Sequence, residues 1–329
     1  MRILVIGGTR FLGRHLVEAA LERNLDVTLF NRGQTNADLF PSVTKLRGDR
    51  NSDLSALQGQ TWDAVIDTCG YVPRAVSAAA QALASSTNLY VFISSISVYA
   101  DFKRPGIDES TPTATMPDET VEVITNDTYG PLKALCEQAA ENAMPGRVLH
   151  IRPGYIVGPH DPTDRFTYWP YRVSHGGEIA VPGKPEAPMQ FIDVRDLTEW
   201  LVRVIEAGKR GTYNATGPDY RLTMQRLLET SRDVTQSDAR LTWLSESFIF
   251  ERHLEADFPI WTPAGEPGFA TVDCAKAIAD RLTFRPLEDT IQATLQWNAA
   301  RPGGFTGRAG ITAEREAALL EEWHSTLQK

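Results

Sequence analysis

Cysteine is scarce in this chain. Its three residues in 329, Cys69, Cys136 and Cys274, are odd in number and show no metal-ligand spacing. That excludes a disulfide framework and fits reduced thiols in a cytoplasmic protein. Long apolar runs are also missing. No segment approaches the ~18 consecutive apolar residues of a membrane span. The first apolar run, Met1 to Ile6, stops at Gly7, so neither a membrane segment nor a secretory leader is expected. Basic runs are absent too. Asp and Glu number 42 against 33 Lys and Arg, a formal net charge of -9. Sequence-independent nucleic-acid binding depends on neutralising phosphates, so no nucleic-acid partner is expected. Internal repeats and low-complexity tracts are likewise lacking.

What is present is a globular composition, 42% hydrophobic and 23% charged. A short continuous run ended by glycines reads as a buried strand at Arg2 to Ile6, and further strands read at Leu25 to Phe30, Val43 to Arg47, Asp63 to Thr68, Leu89 to Ser94 and Val148 to Ile151. Helical patterns lie between several of them: after Phe11, over Pro73 to Ala84, and from about Tyr129 to Ala143. Strands alternating with helices imply an α/β fold whose parallel, doubly wound sheet is covered on both faces.

After residue 153 the rhythm changes. Pro, Gly and aromatic residues thicken up to Pro188, and a strand at Met189 to Ile192 runs into a helix at Val194 to Ala207. Further helices are expected at 223–235, 245–256, 273–281, 286–300 and 312–327. The predicted division is a nucleotide-binding domain over 1–153 and a smaller, mostly helical substrate lobe over 154–329, with about 189–217 returning to the first core. Ligands of open α/β sheets sit at the carboxyl ends of the strands, so the two parts are expected to share a cleft.

The first turn reads Gly7-Gly8-Thr9-Arg10-Phe11-Leu12-Gly13. Glycine spacing alone is weak evidence, but a strand before it and an amphipathic helix after it make it a Rossmann dinucleotide turn. The helix N-terminus offers free N–H groups and partial positive charge to a pyrophosphate. Arg10 stands where a middle glycine is usual. At the end of the second strand, where an NAD enzyme usually has a carboxylate for the ribose 2′-OH, the chain has Asn31-Arg32-Gly33. Two arginines and no carboxylate fit a 2′-phosphate, so NADP is favoured over NAD. Asp49 and Arg50, after the third strand, are candidates for the adenine end. Thr68, Gly70 and Ser94 follow as cofactor contacts from the next two strand ends.

Tyr129 and Lys133 are four apart, on one face of a helix. An ammonium beside a phenol favours the phenolate, lowering a pKa that starts near 10. The fifth strand leads into Ser94-Ser95-Ile96-Ser97-Val98-Tyr99, which puts hydroxyls where ligands sit. In these motifs the chain resembles the extended or atypical short-chain dehydrogenases/reductases, the epimerase/dehydratase-like group. The resemblance continues through Arg152-Pro153-Gly154-Tyr155-Ile156-Val157-Gly158-Pro159, Phe191 to Asp196, Gly211 to Asn214 and Phe284 to Trp297. It implies Ser95, Tyr129 and Lys133 as the catalytic set. It also implies hydride transfer at the nicotinamide, with Pro153, Tyr155 and Ile156 near its carboxamide.

Two departures bear on substrate. Nucleotide-sugar members carry an Asn after the sixth strand and an Arg seven residues before the Asp matching Asp196. Here the first run is Arg152-Pro153-Gly154-Tyr155, and the second position is Met189. The leading expectation is therefore an NADP-dependent reductase or dehydrogenase of a small carbonyl or imine compound, acting as a monomer or homodimer. An epimerase or dehydratase of a (nucleotide-)sugar with retained cofactor is the alternative. A non-catalytic NADP-sensing or RNA-associated role is the third, because chloroplast stem-loop-binding members have a similar Gly-Gly-Thr-Arg-Phe turn. Tyr71, Arg165, Tyr168 and Trp169 are candidate substrate contacts. The Thr/Pro/acid-rich stretch 100–127 is long enough to be functional or mobile, placed where it could cover the site.

Overall fold

Seven parallel strands form the frame of the molecule, in the order β10-β6-β5-β4-β1-β2-β3. A computed structural model describes residues 1–327. The strands are β1 (Arg2–Ile6), β2 (Asp26–Asn31), β3 (Thr44–Arg47), β4 (Ala64–Asp67), β5 (Tyr90–Ile93), β6 (Val148–Pro153) and β10 (Gly211–Ala215). The central ones are buried along nearly their whole length because helices cover both faces, which is why they read as unbroken apolar runs. Helices α1 (Phe11–Glu22) and α5 (Val194–Glu206) pack together on one face, and α2 (Pro73–Leu83) and α3 (Asn126–Ala143) on the other. Chain order reverses between β1 and β4, and ligands of such sheets bind at that crevice.

Helix α3 starts a turn earlier than expected. The Thr125 hydroxyl accepts from the Thr128 amide at 3.2 Å while the Thr128 hydroxyl accepts from the Thr125 amide at 2.8 Å. This reciprocal cap satisfies two N–H groups and begins the helix at Asn126. The cap is built from two threonines rather than the usual Ser/Thr with Glu/Gln.

The C-terminal region has its own apolar core, with Phe166, Trp169, Leu227, Ile249, Phe258 and Ile291 inside. It contains α4 (Tyr168–Ser174), α6 (Met224–Thr235), α7 (Glu246–Glu251), α9 (Leu287–Ala300) and α10 (Ala313–Leu327). It also holds short parallel pairs that periodicity does not reveal. β7 (Tyr155–Val157) pairs with β9 (Phe191–Asp193), and β8 (Glu178–Pro182) with β11 (Arg240–Leu244). Helix α8 (Ala275–Ala279) lies against β10. No helix among the described residues is long and apolar enough to cross a membrane.

Candidate active site

A cavity of about 840 Å³ opens at the carboxyl ends of the strands and runs from the glycine turn to the second lobe. Its inner wall is Gly7 to Gly13. Gly7 and Gly8 adopt φ of +110° and +89°, and a Cβ on Gly13 would stand 2.8 Å from the Gly8 amide nitrogen, so the turn accepts no side chain there. The first turn of α1 lines the cavity, and its leading amides have no acceptor within the helix. This is a cradle for a pyrophosphate.

At one end Asn31 ties two turns together. It donates to the Gly7 carbonyl at 2.9 Å and accepts from the Gly33 amide at 3.0 Å and from the Arg47 guanidinium. Arg10 and Arg32 are exposed on the cavity wall, and among the described residues neither makes an ion pair. These residues fit a dinucleotide whose ribose lies at the end of β2. Asp49 also lines the wall, with one carboxylate oxygen taking the Asn51 amide at 3.0 Å.

Arg50 reaches the cavity with its guanidinium already paired. It makes a two-pronged bond to Asp67, at 2.5 and 2.8 Å, and a longer one to the Cys69 thiol. Burial alone would raise Asp67, but Arg50, the Tyr90 hydroxyl and the Cys69 amide carry it below its ordinary value. Arg50 borders the cavity, yet its fork is committed to a buried carboxylate that would otherwise be unpaired. Thr68 and Ser94 line the cavity, whereas Gly70 lies behind it and contributes its carbonyl to Lys133.

Ser95, Tyr129 and Lys133 all line the cavity. The Ser95 hydroxyl accepts from the Ser97 amide at 3.1 Å, which orients it at the end of β5. Gly130 allows the approach of α3, since a Cβ there would lie 2.1 Å from the Ser97 carbonyl oxygen. Tyr129 is thereby seated beside Ser95. Burial pushes its phenol above the ordinary value, and the Ser95 hydroxyl and the charge of Arg165 offset part of that rise. The expected lowering by Lys133 is not found. Lys133 Nζ donates to the carbonyls of Gly70 and Ile93 at 2.8 and 2.6 Å, and burial brings its own pKa down to about 8.

The far end of the cavity belongs to the second lobe. Tyr155, Ile156, Asp161, Thr163, Arg165 and Phe269 line it, and Pro153 at the end of β6 and Tyr71 after β4 also border the cavity. Tyr168 and Trp169 do not. Helix α4 begins at Tyr168 and turns both rings into the second core, where Trp169 donates to the Pro259 carbonyl at 2.8 Å. Phe269 carries no signal in the sequence, and only tertiary packing places it. The stretch 100–127 is anchored rather than free. Gly268 donates to the Phe102 carbonyl at 2.8 Å, Asp273 to that of Ile107 at 2.7 Å, and the Phe102 and Phe269 rings meet at 5.0 Å. It therefore buttresses one cavity wall.

A family model described as the NAD dependent epimerase/dehydratase family matches residues 3–216. The chain belongs to that family. Among solved structures of similar fold are three epimerases. UDP-glucuronic acid 4-epimerase from Bacillus cereus, in complex with NAD, is 18% identical with TM-score 0.66, over 90% of this chain and 98% of that one. UDP-glucose 4-epimerase from Bifidobacterium longum, with NAD+ and UDP, is 19% identical with TM-score 0.67, over 93% and 100%. UDP-glucose 4-epimerase from Thermotoga maritima, with UDP-glucose, is 15% identical with TM-score 0.68, over 90% and 98%. At these identities the likeness is one of fold. A curated relative, the chloroplast stem-loop binding protein of 41 kDa b from Arabidopsis thaliana, is 27% identical over 242 residues, 67% of this chain. The match spans 59% of that protein's length.

Membership of the epimerase/dehydratase family favours the second enzymatic reading of the sequence over a net reductase. Met189 is buried in the second-lobe core, and Tyr155 has its ring under the Arg165 guanidinium.

Proposed function

We propose that the protein is a sugar epimerase or dehydratase that retains NAD(P) and returns to the substrate the hydride it removes. The observation that carries this is the meeting of Ser95, Tyr129 and Lys133 on one cavity with the glycine turn. Family membership and the fold shared with NAD-bound sugar epimerases support it. When bound, the cofactor supplies the hydride acceptor and donor. Tyr129 removes the proton of a substrate hydroxyl and gives it back, and Ser95 orients that oxygen. Lys133, hung on two carbonyls, keeps a donor for the nicotinamide ribose and places positive charge behind the reacting end. On Arg10, Arg32 and the missing carboxylate at the end of β2, the cofactor is NADP.

The test is to incubate the protein with candidate sugars and follow both product and cofactor. The expected result is isomerised or dehydrated product with no net change in NADPH, lost in Tyr129→Phe. Stoichiometric NADPH consumption with a carbonyl substrate would instead establish the reductase reading, which the absence of the two nucleotide-sugar anchors favours.

A further inference from the structure

Arg165 is mounted as a ligand-binding arginine. Its guanidinium lies 4.8 Å from the centre of the Tyr155 ring, and that ring packs against Phe269 at 5.3 Å. Stacking on an aromatic face holds a guanidinium flat and leaves its N–H edge free. One nitrogen, Nε, donates to the Thr163 hydroxyl at 3.2 Å. The two terminal nitrogens have no acceptor among the described residues, and Arg165 makes no ion pair there. The Asp161 carboxylate on its loop is buried and turned to the Thr163 amide and hydroxyl at 2.9 and 2.7 Å.

The platform is rigid. The preceding residue, Asp164, is fully buried and receives both prongs of Arg301 at 2.8 and 3.0 Å, with the Thr306 hydroxyl at 2.5 Å. A flat, preset fork facing the same cavity as Tyr129 matches the planar oxygens of a carboxylate or the edge of a phosphate. The position from which family members hold a diphosphate is here the buried Met189.

We propose that Arg165 is the anion anchor of the substrate site, so that the substrate carries a carboxylate or phosphate held against the Tyr155–Phe269 shelf while its hydroxyl-bearing carbon faces Tyr129. This rests on the reading of the cavity as a hydride-transfer site.

Calorimetry on the full chain saturated with NADP tests it, with galactose, galacturonate, galactose 1-phosphate and UDP as probes. The expected result is binding of at least one anionic probe and no matching affinity for neutral galactose. That binding should weaken tenfold or more in Arg165→Gln and recover in part in Arg165→Lys, with NADP affinity unchanged in both. The anion that binds identifies the source: a sugar acid, a sugar phosphate or a nucleotide. Three results would overturn the proposal: no anionic probe bound, equal binding by Arg165→Gln, or a parallel loss of NADP affinity. Turnover is read separately. Anion binding without isomerisation removes the proposed reaction and leaves the anchor. Isomerisation indifferent to Arg165→Gln removes the anchor and leaves the reaction.

Discussion

Replacing Gly130 with alanine tests how Tyr129, the proposed proton carrier, is positioned. The new methyl would stand 2.1 Å from the Ser97 carbonyl oxygen, against about 3.4 Å for ordinary contact. Backbone lies on both sides, so no flexible side chain can give way. Helix α3 must move back by roughly 1.3 Å, taking Tyr129 away from Ser95. Overpacking of this kind costs about 1–3 kcal/mol. For a chain of this length that is a fall in Tm of about 2–4 °C. Function should suffer more than stability, because a displacement of about 1 Å at a reacting group costs on the order of 10²-fold in rate. NADP affinity should fall less than turnover, since the glycine turn after β1 stays in place while Lys133 moves with α3. Scanning calorimetry, nucleotide titration and turnover with the identified substrate measure the three quantities. A Gly130→Ala protein with wild-type Tm and turnover would show that the close contact does not seat Tyr129, and the argument would fail.

Other outcomes are expected from the same geometry. The double variant Arg10→Ala/Arg32→Ala should lose roughly 10-fold to 100-fold in affinity for NADP but not for NAD, as befits a charge-assisted bond of about 1.5–3 kcal/mol; equal losses for both would refute the 2′-phosphate reading. Glu137 and Asp193, like Asp67, would be raised by burial but are held below their ordinary values by Arg152 and Arg195. Their contribution to stability is present above the unfolded carboxylate values and lost as pH falls through the folded ones. Denaturant midpoints between pH 3 and 6 should therefore drop steeply on the acid side, about where carboxylates titrate. For Lys133, lowered from 10.5 to about 8, the folded state binds fewer protons than the unfolded between those values. Wild type should gain stability relative to Lys133→Met as pH rises from 8 towards 10, by on the order of 3 kcal/mol in all. A flat difference across that range would place the ammonium in a more polar setting than the two carbonyls provide.

Six of the sheet's seven strands and the glycine turn were legible because their causes are local, whereas β10, Gly-Thr-Tyr-Asn-Ala, was not read as a strand. A strand buried on both faces must be apolar throughout, and a phosphate turn needs glycine where no Cβ fits. The strand ends shifted by only a residue or two, as at β5, whose run was read as Leu89 to Ser94 and forms over Tyr90–Ile93. The second lobe was harder because its order is tertiary. β11, Arg-Leu-Thr-Trp-Leu, alternates over only four residues between two helical patterns, too short a signal to stand out, and it forms by pairing with β8. In the site, the four-residue spacing put Tyr129 and Lys133 on one helix face, and Ser95 came from the family resemblance. The coupling of Tyr129 to Lys133 was not legible, because spacing puts Lys133 near Tyr129 but cannot show that two carbonyls hold its ammonium. Asp164 to Trp169 mixes charge with aromatics as a binding loop does. The start of α4 divides it, leaving Arg165 at the cavity and sending Tyr168 and Trp169 into the core.

Partner accounting separates the arginines that composition makes look alike. Arg10, Arg32, Arg50 and Arg165 all border the cavity. Among the described residues only Arg50 of these four has a carboxylate partner, and that carboxylate, Asp67, is completely buried and also takes the Tyr90 hydroxyl at 2.8 Å. Removing Arg50 strands a buried charge, which costs about 3–5 kcal/mol. Removing any of the other three strands nothing, and exposed or ligand-facing side chains of that kind usually change stability by about 0.5 kcal/mol or less. Arg50→Ala should thus lower Tm by roughly 5 °C, and Arg50→Ala/Asp67→Asn should recover part of the loss because the unpaired charge is gone. The single variants at 10, 32 and 165 should melt within about a degree of wild type while changing what the cavity binds. If Arg50→Ala melted like wild type and lost nucleotide affinity instead, its guanidinium would belong to the ligand after all, and an ion-pair partner would no longer distinguish a structural arginine from a binding one in this cavity.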